Sequence, residues 1–232
     1  ADRVEHFEAY WVPHTSLART KRNARTDEPP RGNGRITHLV ERELLENVAF
    51  GAVCRLERRL PSLCRRLAPV VAASGSRDFV DRSDRVFTSP RRVHFKEMEY
   101  ALARADLATA VERLRAVVDG DPTLHVAFPV EIRVAAADDV WLSTAYERAT
   151  GYVAVHQYVG MPHERWFAAV EEVMVDLGGR PHWGKLHTRD ASYLAAHYPR
   201  WQQWQQVRAG VDPTGMFANP YLDRVLGPAG SP

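Results

Sequence analysis

Phe128-Pro129-Val130-Glu131-Ile132-Arg133-Val134 decides the fold. The residues at 128, 130, 132 and 134 share one apolar face while Glu131 and Arg133 leave the other, which is the two-residue period of a strand with one side on a core. A strand is therefore expected over residues 125–134. Working outward, residues 152–158 repeat the pattern, with Tyr152, Ala154, His156 and Tyr158 on a common face. Residues 94–102 set His94, Lys96, Met98, Tyr100 and Leu102 against Phe95, Glu97 and Glu99. Residues 4–12 set Phe7, Ala9 and Trp11 against His6, Glu8 and Tyr10 and are ended by Pro13.

Helical periods lie between and after these strands. Leu107, Val111, Leu114 and Val118 mark one helix, with Asp106 as its expected N-cap and Gly120 as its stop. Pro162 opens another, carrying Trp166, Phe167, Val170, Met174 and Leu177 and ended by Gly178-Gly179. From about Thr37 to Leu60 a longer amphipathic stretch is expected to be divided or bent at Gly51 and is interrupted by Pro61. Residues 25–34 read as a loop, and the polar residues 74–92 as an irregular excursion. After Gly179 the texture changes to short aromatic pieces, with helices expected near 191–197 and 199–209 and a turn at 212–215. Strands with one polar face alternating with helices predict an α+β fold, a largely antiparallel sheet flanked by helices on one side, followed by a C-terminal helical return segment. The polar strand faces are then free for chemistry.

Composition narrows the function classes. With 232 residues, 45% hydrophobic and 26% charged, the chain has the make-up of a globular protein of one or two domains. A balance of 31 basic against 29 acidic residues lacks the field that nucleic acid attracts. Only three of the 31 basic residues are lysines, namely Lys21, Lys96 and Lys185. No apolar run approaches the roughly 20 residues of a membrane-spanning helix, and no secretory leader pattern opens the chain. Cys54 and Cys64 lack a C-x-x-C spacing and read as two free thiols.

Three places concentrate functional side chains. Glu131 and Arg133, two apart on a strand, converge on one ligand or form an exposed ion pair that contributes little. His156 faces outward from its strand, as structural histidines also do. His182-Trp183-Gly184-Lys185-Leu186-His187 gathers two histidines, a tryptophan and a lysine around a glycine. No Cys or carboxylate stands at a zinc-like spacing there, so no metal is expected. Lys185 can instead set its ammonium against a planar electron-accepting ring or a developing alkoxide, or stand in solvent on a connector. There is no G-x-G-x-x-G or Walker loop.

Several ordered segments carry a resemblance. V-E-H-F-E-A-Y-W-V-P-H-T at 4–15, F-P-V-E-I-R-V-A-A-A-D-D-V-W-L-S at 128–143, V-A-V-H-Q-Y at 153–158, R-P-H-W-G-K-L-H at 180–187 and D-P-T-G-M-F-A-N-P-Y-L-D-R-V-L-G at 212–227 resemble the C-terminal portion of the sugar-1,4-lactone oxidases and dehydrogenases. That group acts on arabinono-, gulono- and galactono-1,4-lactones in ascorbate-type biosynthesis. It is related to the alditol oxidases, within the vanillyl-alcohol oxidase superfamily of flavoproteins. The resemblance implies an FAD enzyme that oxidises a CH–OH group of a lactone or alditol by hydride transfer to the flavin. It implies Arg133, Lys185 and His156 as catalytic residues, Glu131, Arg133 and Tyr158 as substrate-binding residues, and Lys185, His182 and Trp183 as cofactor-binding residues. Tyr158, where alditol oxidases have a smaller hydroxyl residue, and Leu186-His187 after the lysine favour a lactone. The alternatives are an alditol oxidase part, or a non-catalytic remnant binding polyols or a partner protein.

The resemblance further implies a domain division: a substrate-binding cap domain at 1–178 and a segment at 179–232 that packs on an FAD-binding domain. That domain would precede Ala1, which fits an opening without an initiator Met and with a strand pattern in the first few residues. Trp183, Trp201, Trp204 and Phe217 are then expected to be exposed when the partner domain is absent. The expected location is cytoplasmic, with peripheral membrane association left open and no transmembrane segment or nucleic-acid partner.

Overall fold

The computed structural model describes residues 4–32, 34, 39–73 and 76–228. The expected helix start near Thr37 and the beginning of the excursion at Ser74 lie outside them. Six strands form one sheet: β1 (His6–Trp11), β2 (Ala18–Asn23), β3 (Phe95–Ala103), β4 (Val130–Ala135), β5 (Thr150–Tyr158) and β6 (Arg180–Pro181). Their order is β2-β1-β4-β5-β3-β6, and every neighbouring pair is antiparallel.

Among the described residues, the helices preceding β3 are a π-helical segment (Leu39–Ala49), α1 (Phe50–Arg59), a 3₁₀ turn (Pro61–Leu63), α2 (Cys64–Ala72) and the short α3 (Ser83–Val86). The change from π to α hydrogen bonding falls at Phe50, whereas Gly51 is buried inside α1 with Val93 packed against the space where a Cβ would stand. The main core lies under the sheet, between its apolar face and two later helices, α4 (Leu107–Gly120) and α5 (Glu164–Asp176). Trp11, Met98, Tyr100, Leu102, Val130, Val153 and Val155 meet Ala110, Leu114, Val118, Trp166, Phe167, Val170 and Met174 there. The expected strand faces are the observed ones, because a strand with one buried side cannot slip by one residue without exposing its whole apolar set.

Helix α5 stops in a Schellman motif. Gly178 has φ of 64°, its N–H donates to Val175 O at 3.0 Å, and Gly179 N–H donates to Met174 O at 2.8 Å. Gly179 is also confined by space, since a Cβ there would stand 2.7 Å from Met174 O. The chain can therefore turn tightly from α5 into β6.

Several expectations are corrected. β2, Ala-Arg-Thr-Lys-Arg-Asn, has no apolar alternation to read, because it is an edge strand held by its ladder to β1, with charged side chains that discourage further pairing. Asp106 stands at the N-cap of α4 without a side-chain cap bond; a 3₁₀ turn at Arg104–Asp106 leads into the helix instead. Residues 125–129 approach β5 without joining the ladder, and the buried Gln157 serves their backbone: its Oε1 accepts from Ala127 N at 3.2 Å and its Nε2 donates to His125 O at 2.7 Å.

The C-terminal segment adds α6 (Ala191–His197), α7 (Trp201–Val211) and α8 (Pro220–Leu226). Asp190 and Asn219 cap the first and last of these through Tyr193 N–H and Leu222 N–H. Leu194, Tyr198, Trp201 and Val225 form a second core, with Trp183 and Tyr221 packed against it. This revises the expected aromatic exposure: Trp201 is buried, Trp183 and Trp204 are half-buried, and Phe217 alone of the four is exposed. Glu171, buried on α5, ties this segment to the main core, accepting from Tyr100 Oη at 2.5 Å, from Thr188 N at 2.8 Å and from the Thr188 hydroxyl. Among the described residues no helix is long and apolar enough to cross a membrane.

Candidate active site

The sheet face opposite α4 and α5 carries the polar side chains, and strand register assembles it. Glu131 on β4 pairs with Tyr10 on β1 and Ala154 on β5, while Arg133 pairs with Glu8 and Tyr152. On β5, His156 pairs with Glu97 of β3, and Ala154 with Glu99. Glu8, Tyr10, Glu131, Arg133, His156, Glu97 and Glu99 therefore project to one side, drawn from four adjacent strands.

Lys185 reaches this face because of how β6 ends. His182 N–H donates to Glu99 O at 2.9 Å and Leu186 N–H to Glu97 O at 3.0 Å, so the chain leaves and rejoins the edge of β3 within five residues. The intervening loop closes on itself through Lys185 N–H to His182 O at 3.2 Å and Gly184 N–H to His182 Nδ1 at 3.0 Å. Lys185 is thereby held over the two carboxylates beneath it. Its Nζ lies 2.6 Å from Glu97 Oε1 and 2.7 Å from Glu99 Oε2.

The other charges interlock with this pair. Arg133 Nη2 donates to Glu99, and Arg133 Nε stands 3.5 Å from Glu131 Oε1. Burial opposes the Arg133 charge, but Glu99 and Glu131 outweigh it and hold the guanidinium above its ordinary pKa. Burial likewise pushes the Glu97 carboxyl up, yet hydrogen bonds from His156 and Lys185 overcome this and bring it down to about 2. The Tyr10 phenol donates to Glu8 at 2.8 Å and stands 3.3 Å from Glu131 Oε1, and burial, with Glu131 beside it, keeps it protonated. Carboxylates that accept and cations that donate suit a ligand rich in hydroxyl and carbonyl oxygens.

Of the residues singled out from sequence, Glu131, Arg133, His156 and Lys185 come together here. Tyr158 lies at the end of β5, packed with Phe50 and Phe95 against the cluster that contains Cys54 and Cys64. His182 braces the lysine loop. The Trp183 indole turns into the second core, 5.3 Å from the Tyr198 ring, with its N–H donating to Leu142 O at 2.9 Å. His187 is buried and bonded to Tyr221 Oη at 3.1 Å; burial, with Arg224 nearby, brings its pKa down to about 4, so Leu186-His187 anchors the loop. Glu97, Glu99, Glu8 and Tyr10 were missed as site residues. Their signal was present, since Glu97 and Glu99 stand two apart on a strand as Glu131 and Arg133 do. Among the described residues no group of three or more His, Cys, Asp or Glu side chains suits a metal ion.

A family model for D-arabinono-1,4-lactone oxidase matches residues 1–225. The chain belongs to that family. It is 42% identical over 228 residues to an L-gulono-1,4-lactone dehydrogenase of Mycobacterium tuberculosis, covering 98% of this chain and 53% of that protein. It is 30% identical to an L-gulonolactone oxidase of Scyliorhinus torazame over 96% of this chain and 51% of that protein. An alditol oxidase of a Streptomyces species is 35% identical over 136 residues, 56% of this chain and 31% of the relative. The chain thus spans about half the length of the lactone enzymes it matches along its whole extent. Its antiparallel sheet backed by helices agrees with the cap-type α+β fold that the resemblance implies.

Proposed function

We propose that this chain is the substrate-binding half of an FAD-dependent oxidoreductase that oxidises a CH–OH group of a sugar-1,4-lactone, and that its polar sheet face is the site. The observation that carries the reading is the convergence of Lys185 and Arg133 on one sheet face with Glu131, in a chain that matches lactone oxidases and dehydrogenases along nearly its whole extent.

Lys185 has three N–H donors, of which two are taken by Glu97 and Glu99, leaving the third for a substrate oxygen. Arg133 keeps Nη1 for the same purpose. Both stabilise negative charge on the reacting oxygen as its proton leaves, and Glu131 accepts from neighbouring hydroxyls to fix which carbon faces the oxidant. Tyr158 bounds the site at the far end of β5. The remaining Lys185 N–H would also suit the negative charge a flavin ring takes up, with His182 and Trp183 framing the loop that presents Lys185. Bound there, a flavin would supply the acceptor for the hydride. Its nucleotide portion would be held by a separate FAD-binding domain, on which the segment after Gly179 would pack, residues 1–178 acting as the cap.

The lactone reading is favoured over an alditol because the matches that run the length of the chain are lactone enzymes, whereas the alditol oxidase match covers 56% of it. Turnover of L-gulono- and D-arabinono-1,4-lactone against xylitol by the flavin-loaded enzyme tests this. A lactone kcat/KM at least tenfold above that for xylitol is expected. The reverse preference would assign the site to alditols, and equal failure with both would leave a binding role.

A further inference from the structure

The partners of His156 determine its charge. Nδ1 lies 3.2 Å from Pro129 O and Nε2 lies 3.1 Å from Glu97 Oε1. A backbone carbonyl and an ionised carboxylate only accept, whereas a neutral imidazole carries a single N–H. Both bonds form together only when both ring nitrogens are protonated. The His156 side chain is 9% exposed, and its ring is walled by Phe95, edge-on at 5.0 Å, and by Phe128 at 6.1 Å, so bulk water does not replace either partner. The charged groups around it are Glu97 and Glu99 from β3, Glu131 and Arg133 from β4, and Lys185 from the loop after β6.

Glu97 is the hinge of this arrangement. It stands directly across the ladder from His156, and the same Oε1 that faces His156 takes the Lys185 ammonium. We infer that Glu97 is a positioning residue that holds His156 as an imidazolium and anchors Lys185, so that the site offers three cations, Lys185, His156 and Arg133, and no neutral imidazole. An imidazolium has no free lone pair, so His156 in this state does not receive the substrate's proton. The inference rests on the lactone-oxidising reading only for what the three cations act on; the charge of His156 is independent of it.

Nitrogen-15 NMR of the histidine-labelled full chain at pH 7.5 tests the inference without any turnover. The His156 signals, assigned by their loss in His156→Asn, are expected to report two protonated ring nitrogens. In Glu97→Gln the carboxamide offers an N–H to Nε2, and the ring should become the neutral tautomer protonated at Nδ1; Glu97→Asp should restore the charged form. A neutral His156 in the unaltered chain overturns the inference, whether or not the variants fold. So does an unchanged imidazolium in a folded Glu97→Gln chain. A charged His156 in a protein that oxidises no lactone would instead sink the proposed reaction and leave the positioning role standing.

Discussion

Glu97 Oε1 lies 2.6 Å from Lys185 Nζ across 88 residues of sequence, and that contact couples the C-terminal loop to the centre of the sheet. Because the folded state holds the Glu97 pKa at about 2, below its ordinary value of 4.5, the group stabilises the fold above the ordinary value. That contribution disappears as pH falls toward 2. Urea titrations of the unaltered chain and Glu97→Gln should differ by a few kcal/mol at pH 7, and the gap should shrink progressively between pH 4.5 and 2. A gap independent of pH would mean that the ionised carboxylate is not what the contact depends on.

Glu57 should behave with the opposite sign. Its side chain is buried in α1, one carboxylate oxygen has no hydrogen-bond partner, and burial pushes the pKa up to about 7. Stability from the protonated form is complete below the ordinary value near 4.5 and declines as pH rises through 7. Glu57→Gln should therefore stabilise the chain above pH 7 relative to its effect at pH 4, read as the shift in urea midpoint at the two pH values.

Glu171 is expected to be the main fastener between the C-terminal segment and the core. Replacing it with Ala leaves the Tyr100 hydroxyl and the Thr188 donors without their acceptor in a buried setting, which costs about 3 kcal/mol. Denaturant unfolding should record this loss. Limited proteolysis should cut the variant first near residues 186–190, where the strap is released.

The division between what sequence carried and what it did not follows from the kind of signal. Alternation placed β1, β3, β4 and β5 with the correct faces, because burying one side of a strand imposes the pattern. It could not mark β2, whose order comes from backbone pairing at an edge, nor the two-residue β6, which is too short to have a period. Glu131, Arg133, His156 and Lys185 stood out through charge on a strand face or rarity of type. Glu97 and Glu99 carried the same strand-face signal, but their role depends on the strand order, in which β3 lies between β5 and the lysine loop. Trp201 was expected to be exposed in the absence of a partner domain, but α6 and the unexpected α8 cover it within the chain.

The most direct measurement is steady-state oxidation of L-gulono-1,4-lactone by the flavin-loaded enzyme containing this chain, comparing Lys185→Met and Arg133→Met with the unaltered protein. Removing one such donor from a preorganised charge-stabilising site should lower kcat by about 10²- to 10³-fold while the folded far-ultraviolet signature persists. Unchanged kcat in folded, flavin-loaded variants would contradict the assignment of the polar sheet face as the site of oxidation.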